Sequence, residues 1–320
     1  MLAVVDHRGD RSEVVTAGPA TFGRRSWSGR PNAGPSDPAG VASIGRDDAG
    51  ALVAMVGRTI PALGAGQLAA RFAAGAPLSD LADLDGAFAL AHWDPSTATL
   101  TLARDAFGQR SLYWTQSGDT FWFATELKQL LAIAELPVAL DPIAVHKYLT
   151  FSFVPGEATP IQGVRRVLPG HVLVFRGGAV TTRPWFELSE RIAPIEPGAA
   201  AKRLRQLGRA AVERRLVPGA RVGLYLSGGL DSSAVGWWLK EAGADLTAFT
   251  LDFGAASVER EEAAQAARHL GIPLELVTVD PSAFGANLGD ILWKLDLPFG
   301  DAVTAPHWLL GRAARAGGLT

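Results

Sequence analysis

The run Ser227-Gly228-Gly229-Leu230-Asp231-Ser232-Ser233 holds the residue types in this chain best suited to chemistry. It follows the apolar stretch Val222-Gly223-Leu224-Tyr225-Leu226 and precedes Ala234-Val235-Gly236-Trp237-Trp238-Leu239-Lys240. The order reads as a buried strand, a tight glycine loop and a helix. Two adjacent glycines let a backbone approach an anion closely and adopt dihedrals closed to other residues. Loop N–H groups and the helix N-terminus then point at that anion. Ser227, Ser232 and Ser233 add hydroxyl donors. A bare carboxylate repels phosphate, so Asp231 fits the scheme as a Mg²⁺ ligand held against phosphate oxygens. The plainer alternative is a strand–turn–helix connection with Gly in its turn and Ser or Asp as N-cap. No Lys follows the glycines, which separates this loop from G-x-x-x-x-G-K-[ST].

The elements that must position the loop lie in the second part of the chain. A helix is expected over 199–215, then strand 222–226, helix 232–242, strand 246–251, helix 259–270 and strand 274–279. Helices over 286–295 and about 305–316 follow. Strands alternating with helices predict a parallel doubly wound sheet, with strand 222–226 expected at its centre. The first part reads differently. A loop is expected from Ser26 to Gly40, a strand over 52–56 and an Ala-rich helix from Gln67 to Ala74. Paired strands 88–94 and 99–104 flank Pro95-Ser96-Thr97, and strands 112–114 and 120–124 flank Ser117-Gly118-Asp119. A helix spans Glu126 to Ala134, another starts at Asp141-Pro142, and a hairpin over 172–182 turns at Gly177-Gly178. Residues 189–197 read as a linker between domains 1–190 and 195–320.

Composition narrows the classes. The chain has 320 residues, 48% hydrophobic and 19% charged, which suits two domains with ample cores. A net charge of −2 gives no reason to expect nucleic acid or an anionic membrane as partner. With no cysteine there is no disulfide, thiolate metal site or cysteine nucleophile. Asp6, His7, Arg8 and Asp10 make the N-terminus unlike a secretory leader, and no apolar run reaches membrane-span length. The expectation is a cytoplasmic protein. The six histidines show no metal-ligand spacing. Asp301, after Pro298-Phe299-Gly300, either faces the site or serves a turn. Glu259, Glu261 and Glu262 with Arg260 and Arg268 read as a solvated helix face. Trp237-Trp238 reads as core packing.

The loop resembles the SGGxDS pyrophosphate loop of ATP pyrophosphatases, and the likeness widens to most of the chain. Leu84-Asp85-Gly86-Ala87-Phe88-Ala89 and Ala103-Arg104-Asp105-Ala106-Phe107-Gly108-Gln109-Arg110-Ser111-Leu112-Tyr113 are similar to segments of the asparagine synthetase family, with Ser111 where proline is usual. Phe123-Ala124-Thr125-Glu126-Leu127-Lys128, Tyr148-Leu149, Val154-Pro155, Leu168-Pro169-Gly170-His171, Phe249-Thr250-Leu251 and Pro298-Phe299-Gly300-Asp301 also match. Arg104 and Asp105 read as structural, pairing across a sheet sandwich. The resemblance implies an α+β sandwich of the Ntn-hydrolase type, a glutaminase-like domain. It implies that an α/β domain of the ATP-pyrophosphatase, adenine nucleotide α-hydrolase-like type follows. The implied cofactors are ATP and Mg²⁺. Ser227, Gly228, Gly229, Leu230, Asp231, Ser232 and Ser233 would hold pyrophosphate, Asp231 the metal, and the backbone of Tyr225 and Leu251 the adenine. Tyr225 can serve as a packed core aromatic as well.

Two departures shape the expected function. The family's glutaminase works through a cysteine after the initiator Met, and Leu2 stands there. Leucine carries no nucleophile. Val56-Gly57-Arg58-Thr59 replaces the family's N-G-E segment, and neither Asp80 nor Asp83 lies in a motif matching its glutamine-binding Asp. A vestigial glutaminase fold is expected, as in β-lactam synthetases, carbapenam synthetases and lasso-peptide cyclases, which close intramolecular amides. The family's second Mg²⁺-binding loop, G-[DE]-G-x-D, would follow the helix ending near Gly318, where this sequence stops. The expectation is therefore a partial ATP site, completed by a longer chain or by a second chain. The implied partners are ATP with a carboxylate and an amine substrate, or a precursor peptide. Asparagine synthesis from free ammonia and a non-catalytic scaffold are the alternatives.

Overall fold

Alternating apolar residues build the first part of the chain from antiparallel strands. The computed structural model describes the chain except residues 9, 27–41, 61, 69–80, 82–83, 191, 218, 255–256, 258, 299, 301–303 and 320. The loop expected after Ser26, most of the expected helix 67–74, and Asp80, Asp83 and Asp301 lie outside the described residues. Two units result: Met1–Ser189 with Asp296–Gly300, and Glu190–Leu295 with Asp301–Thr320.

In the first unit, β1 (Arg11–Ala17) and β2 (Ala20–Ser26) form a hairpin after a 3-10 helix at Leu2–Arg8. Strands β3 (Ala42–Arg46), β4 (Leu52–Ile60), β5 (Asp85–Asp94), β6 (Thr99–Arg104), β10 (His171–Arg176) and β11 (Ala179–Pro184) make an antiparallel sheet ordered β11-β10-β6-β5-β4-β3. A smaller sheet has the order β8-β7-β9, with β7 Tyr113–Ser117, β8 Thr120–Ala124 and β9 Arg165–Arg166. Period-two alternation sends successive residues to opposite faces. Leu52, Ala89, Ala91, Leu100, Leu102 and Leu173 therefore pack with Leu112, Trp114, Phe121 and Phe123 between the two sheets. Val53, Met55, Phe88, Leu90, Ala103 and Val172 pack with Leu68, Leu81 and Leu84 on the other face. Helices α1 (Leu127–Leu131) and α2 (Pro142–Phe151) follow. Asp141 caps α2 by accepting from the N–H groups of Ile143 and Ala144, ahead of proline at the first helical position.

Arg104 and Asp105 are structural, but not as partners of each other. Fully buried Asp105 accepts four backbone N–H bonds, from Phe88, Phe107, Gln109 and Arg110, at 2.9–3.2 Å. The Arg104 guanidinium donates to the carbonyls of Gly108, Arg110 and Val167. Each thus organises the 105–110 turn from one side, using the backbone groups that a tight turn leaves unpaired. Asp105→Ala orphans those donors and is expected to cost the first unit about 2 to 3 kcal/mol in urea unfolding. A loss below about 1 kcal/mol would show that water replaces the carboxylate there.

The second unit carries a parallel sheet of β12 (Arg221–Tyr225), β13 (Asp245–Asp252) and β14 (Leu274–Thr278), in the order β12-β13-β14. Its helices are α3 (Pro197–Glu213), α4 (Leu230–Glu241), α5 (Glu259–Leu270), α6 (Pro281–Leu295) and α7 (Thr304–Ala316). Leu224, Leu226, Leu239, Leu246, Ala248, Ala263 and Ala267 form a core between one sheet face and α4 and α5. Phe249, Leu310 and Leu319 form a smaller core with α7 on the opposite face. Helices on both faces make the sheet doubly wound. The expectation for strand 222–226 is corrected: β13 is the central strand and β12 lies at an edge among the described residues. Burial explains the order, since residues 246–250 are all buried whereas β12 buries only Leu224.

Candidate functional site

The loop joins the C-terminal end of β12 to α4, at the edge of the sheet where ligands enter open α/β folds. Leu226 continues the ladder, its N–H donating to the Phe249 carbonyl at 2.9 Å. Gly228 then turns into the left-handed region at φ +84°. A Cβ there would sit 2.5 Å from the Glu262 carbonyl carbon and 2.7 Å from the Ala263 nitrogen, so only glycine lets the loop lie against α5. Gly229 returns to extended backbone as the N-cap, and no side chain caps α4. The expected loop is thus shorter than its motif. Leu230, Asp231, Ser232 and Ser233 form the first helical turns, because the chain is already helical after Gly229.

Hydroxyls hold the turn from within. The Ser227 N–H reaches the Ser232 hydroxyl at 3.3 Å, and the two serine hydroxyls lie 3.1 Å apart. Ser232 also donates to the Gly229 carbonyl at 3.2 Å. Its hydroxyl therefore fixes the loop shape, a role that the motif alone does not distinguish from ligand contact. Asp231 is exposed on the first turn and has no ion pair or hydrogen bond among the described residues. An uncapped helix N-terminus beside a free carboxylate offers N–H donors to an anion and an oxygen ligand to a cation that bridges to it.

Tyr225 ends β12, and Leu251 lies near the end of neighbouring β13. Tyr225 is 43% exposed, which corrects the packed-core alternative. Its ring stacks on His307 with centroids 6.2 Å apart and planes 12° from parallel, and burial on that side raises the phenol pKa. The sequence offered no signal for His307, because the pairing joins a strand end to α7. Trp237 is likewise exposed, its ring under Arg205 at 5.9 Å, whereas Trp238 lies over Gly208 of α3. The acidic face of α5 is solvated as expected, with Arg268 paired to Glu261 and Arg260 to Asp252, both at 3.3 Å. In the first unit, Val56–Thr59 run inside β4, with Arg58 opposite Ala87 and Thr59 opposite Gly86. Among the described residues, no three His, Asp or Glu side chains gather as a metal site, and no helix is long and apolar enough to cross a membrane.

A β sandwich joined to a doubly wound parallel unit with a glycine loop defines a two-domain class of chain. Residues 203–320 match the asparagine synthase family, and residues 69–186 match the glutamine amidotransferase domain. The chain thus carries two family regions, an asparagine synthase region and a glutamine amidotransferase region. It is 30% identical over 234 residues to asparagine synthetase [glutamine-hydrolyzing] 1 of Bacillus subtilis, covering 72% of this chain and 37% of that protein. It is also 30% identical over 265 residues to amidase chyE of Penicillium rubens, covering 76% of this chain and 38% of that one. The chain thus spans under two fifths of the length of these relatives. A glutamine phosphoribosylpyrophosphate amidotransferase from B. subtilis aligns over 90% of this chain and 66% of its own, at 15% identity and a TM-score of 0.37, too low to bear on the argument.

Proposed function

We propose that this chain carries the ATP-binding part of an AMP-forming amide synthetase. A substrate carboxylate oxygen attacks the α-phosphorus of ATP, and pyrophosphate leaves. An amine then attacks the acyl carbon, forming the C–N bond as AMP departs. The carrying observation is the uncapped N-terminus of α4 behind Gly228-Gly229, with Asp231 free beside it. Ser227–Ser233 would hold the pyrophosphate portion, and the backbone of Tyr225 and Leu251 the adenine. Mg²⁺ suits a single exposed carboxylate because it keeps much of its water shell and shares phosphate oxygens. When bound, it would neutralise charge on the phosphates. Positioning and charge neutralisation supply most of the catalysis of such a step.

The domain division, 1–190 glutaminase-like and 195–320 ATP-pyrophosphatase-like, belongs to the same proposal. The absence of cysteine from these 320 residues supports a glutaminase half without activity. That favours an intramolecular amide, of the lasso-peptide or β-lactam kind, over amide transfer from glutamine. The purified chain incubated with glutamine is expected to release no glutamate above buffer, and turnover not traceable to a contaminant would refute that part. The synthetase part is tested by exchange of labelled pyrophosphate into ATP over a carboxylate panel. The chain is assayed alone and together with a separately supplied remainder of a longer relative. Exchange is expected with at least one carboxylate in one of the two assays, and Asp231→Asn should lower it by on the order of a hundredfold or more. No exchange with any carboxylate would favour a scaffold.

A further inference from the structure

Away from the loop, α6 and α7 border a wide-open surface cavity of about 690 Å³. That volume lies within the range of small-molecule sites. Its walls are predominantly basic. Lys294, Arg312 and Arg315 line it, against one carboxylate, Asp290. Asp290 is already engaged by Lys294 at 2.6 Å, a turn apart on α6. Arg312 differs from the other cations. Its guanidinium carbon lies 4.7 Å from the centroid of the Trp308 ring, and among the described residues it has no carboxylate partner and no hydrogen bond. The Lys294 ammonium lies 5.9 Å from the same ring.

A guanidinium resting on an indole face is held in orientation without using its N–H groups. Those donors form a planar fork matched to two oxygens of a carboxylate or phosphate. Most of the entropy cost of ordering the side chain is met before a ligand arrives. The helix dipole favours a cation in the last turn, where Arg315 stands. That account covers Arg315 but not Arg312, one turn earlier and stacked on Trp308 in the wall of the cavity. We infer that the α6–α7 cavity is an anion site in which Arg312, stacked on Trp308, grips a phosphate- or carboxylate-bearing small molecule, with Lys294 beside it. The site is separate from the α4 loop and does not depend on the nucleotide reading.

The test uses the whole chain, labelled with ¹⁵N, at low and constant ionic strength. Trp308→Phe assigns the Trp308 indole N–H signal by its loss. Inorganic phosphate and succinate are titrated separately, with chloride as the ionic-strength control. The expected result is a saturable shift of the Trp308 signal by at least one of the two, and none by chloride. Arg312→Gln, an exposed change that keeps the helix, should weaken that binding at least tenfold. Arg209→Gln on α3, where Arg209 pairs with Glu213, should leave it unchanged. Saturation by phosphate alone identifies a phosphate ligand, and by succinate alone a carboxylate ligand. Non-saturating shifts, equal shifts with chloride, or binding indifferent to Arg312→Gln would overturn the inference.

Discussion

Gly228→Ala should destabilise the second unit by about 4 kcal/mol, from left-handed strain of about 1 to 3 kcal/mol and overpacking of similar size. The position is doubly constrained. Its φ is +84°, and a methyl would lie under 3 Å from backbone atoms of Glu262 and Ala263. Those atoms cannot swing away as a flexible side chain would, because α5 is anchored by buried Ala263, Ala267 and Leu270. Relief requires either α5 or the loop to move. In the first case the core among Leu224, Leu239 and Ala263 opens, and in the second the N–H groups at the head of α4 lose their alignment. Amide hydrogen exchange distinguishes the two. Faster exchange throughout β13 and α5 reports loss of the core, and faster exchange confined to 227–233 reports a displaced loop. Nucleotide binding should fall under either outcome. Gly229→Ala is the control, since its φ is negative and its methyl would meet only the Ser227 hydroxyl, at 3.3 Å. A Gly228→Ala chain as stable as the parent would show that the contact with α5 is not maintained in solution.

Local features of this fold were legible because they are written in neighbouring residues. Gly177-Gly178 marked the β10–β11 turn, Asp141-Pro142 marked the start of α2, and the charge-rich 259–270 run became α5 with those limits. The Gly-Gly loop stood out because a strand and a helix flank it. Features that depend on residues far apart were not legible. Strand order was misjudged since β12 and β13 are both apolar, and only burial on both faces separates them. Arg104 and Asp105 suggested a mutual pair because opposite charges stood side by side, yet unpaired turn amides and carbonyls claimed both. Tyr225 and Trp237 looked like core residues by type, but one stacks on His307 and the other lies under Arg205. Asp296 carried no local sign of its role, because its partners lie 168 and 169 positions earlier.

Asp296→Ala is expected to cost the first unit about 3 to 5 kcal/mol, the range for breaking a buried ion pair by removing one partner. Asp296 belongs to the short segment Asp296–Gly300 that packs within that unit. Its carboxylate accepts the N–H groups of Leu127 and Lys128, and so satisfies donors at the head of α1. It also pairs with the Lys128 ammonium at 2.9 Å, both side chains being 8% exposed. On its other side Lys128 meets Glu126, which is bound in turn by Arg8 and lies 3.2 Å from His7. Burial raises the Glu126 pKa, but hydrogen bonds from Lys128 and Arg8 outweigh it and hold the carboxyl below its ordinary value. This part of the stability is therefore present above the ordinary carboxylate pKa and lost as pH falls through the depressed one. Nearby Tyr113 is pushed up to about 12 by burial and then by the Asp296 charge, so its hydroxyl stays neutral. Without Asp296, the buried Lys128 ammonium loses one of its carboxylates. Asp296→Asn separates charge from capping. It tolerates the left-handed backbone at φ +67° and can still accept N–H bonds, but no longer offers Lys128 a charge. It should cost less than alanine yet more than about 1 kcal/mol. Lys128→Met combined with Asp296→Asn should recover part of the loss, since the buried ammonium that lost a carboxylate is then gone. Urea unfolding read by hydrogen exchange at α1 gives all three values. A full recovery of stability in Asp296→Asn alone would place the whole effect in the cap and none in the ion pair.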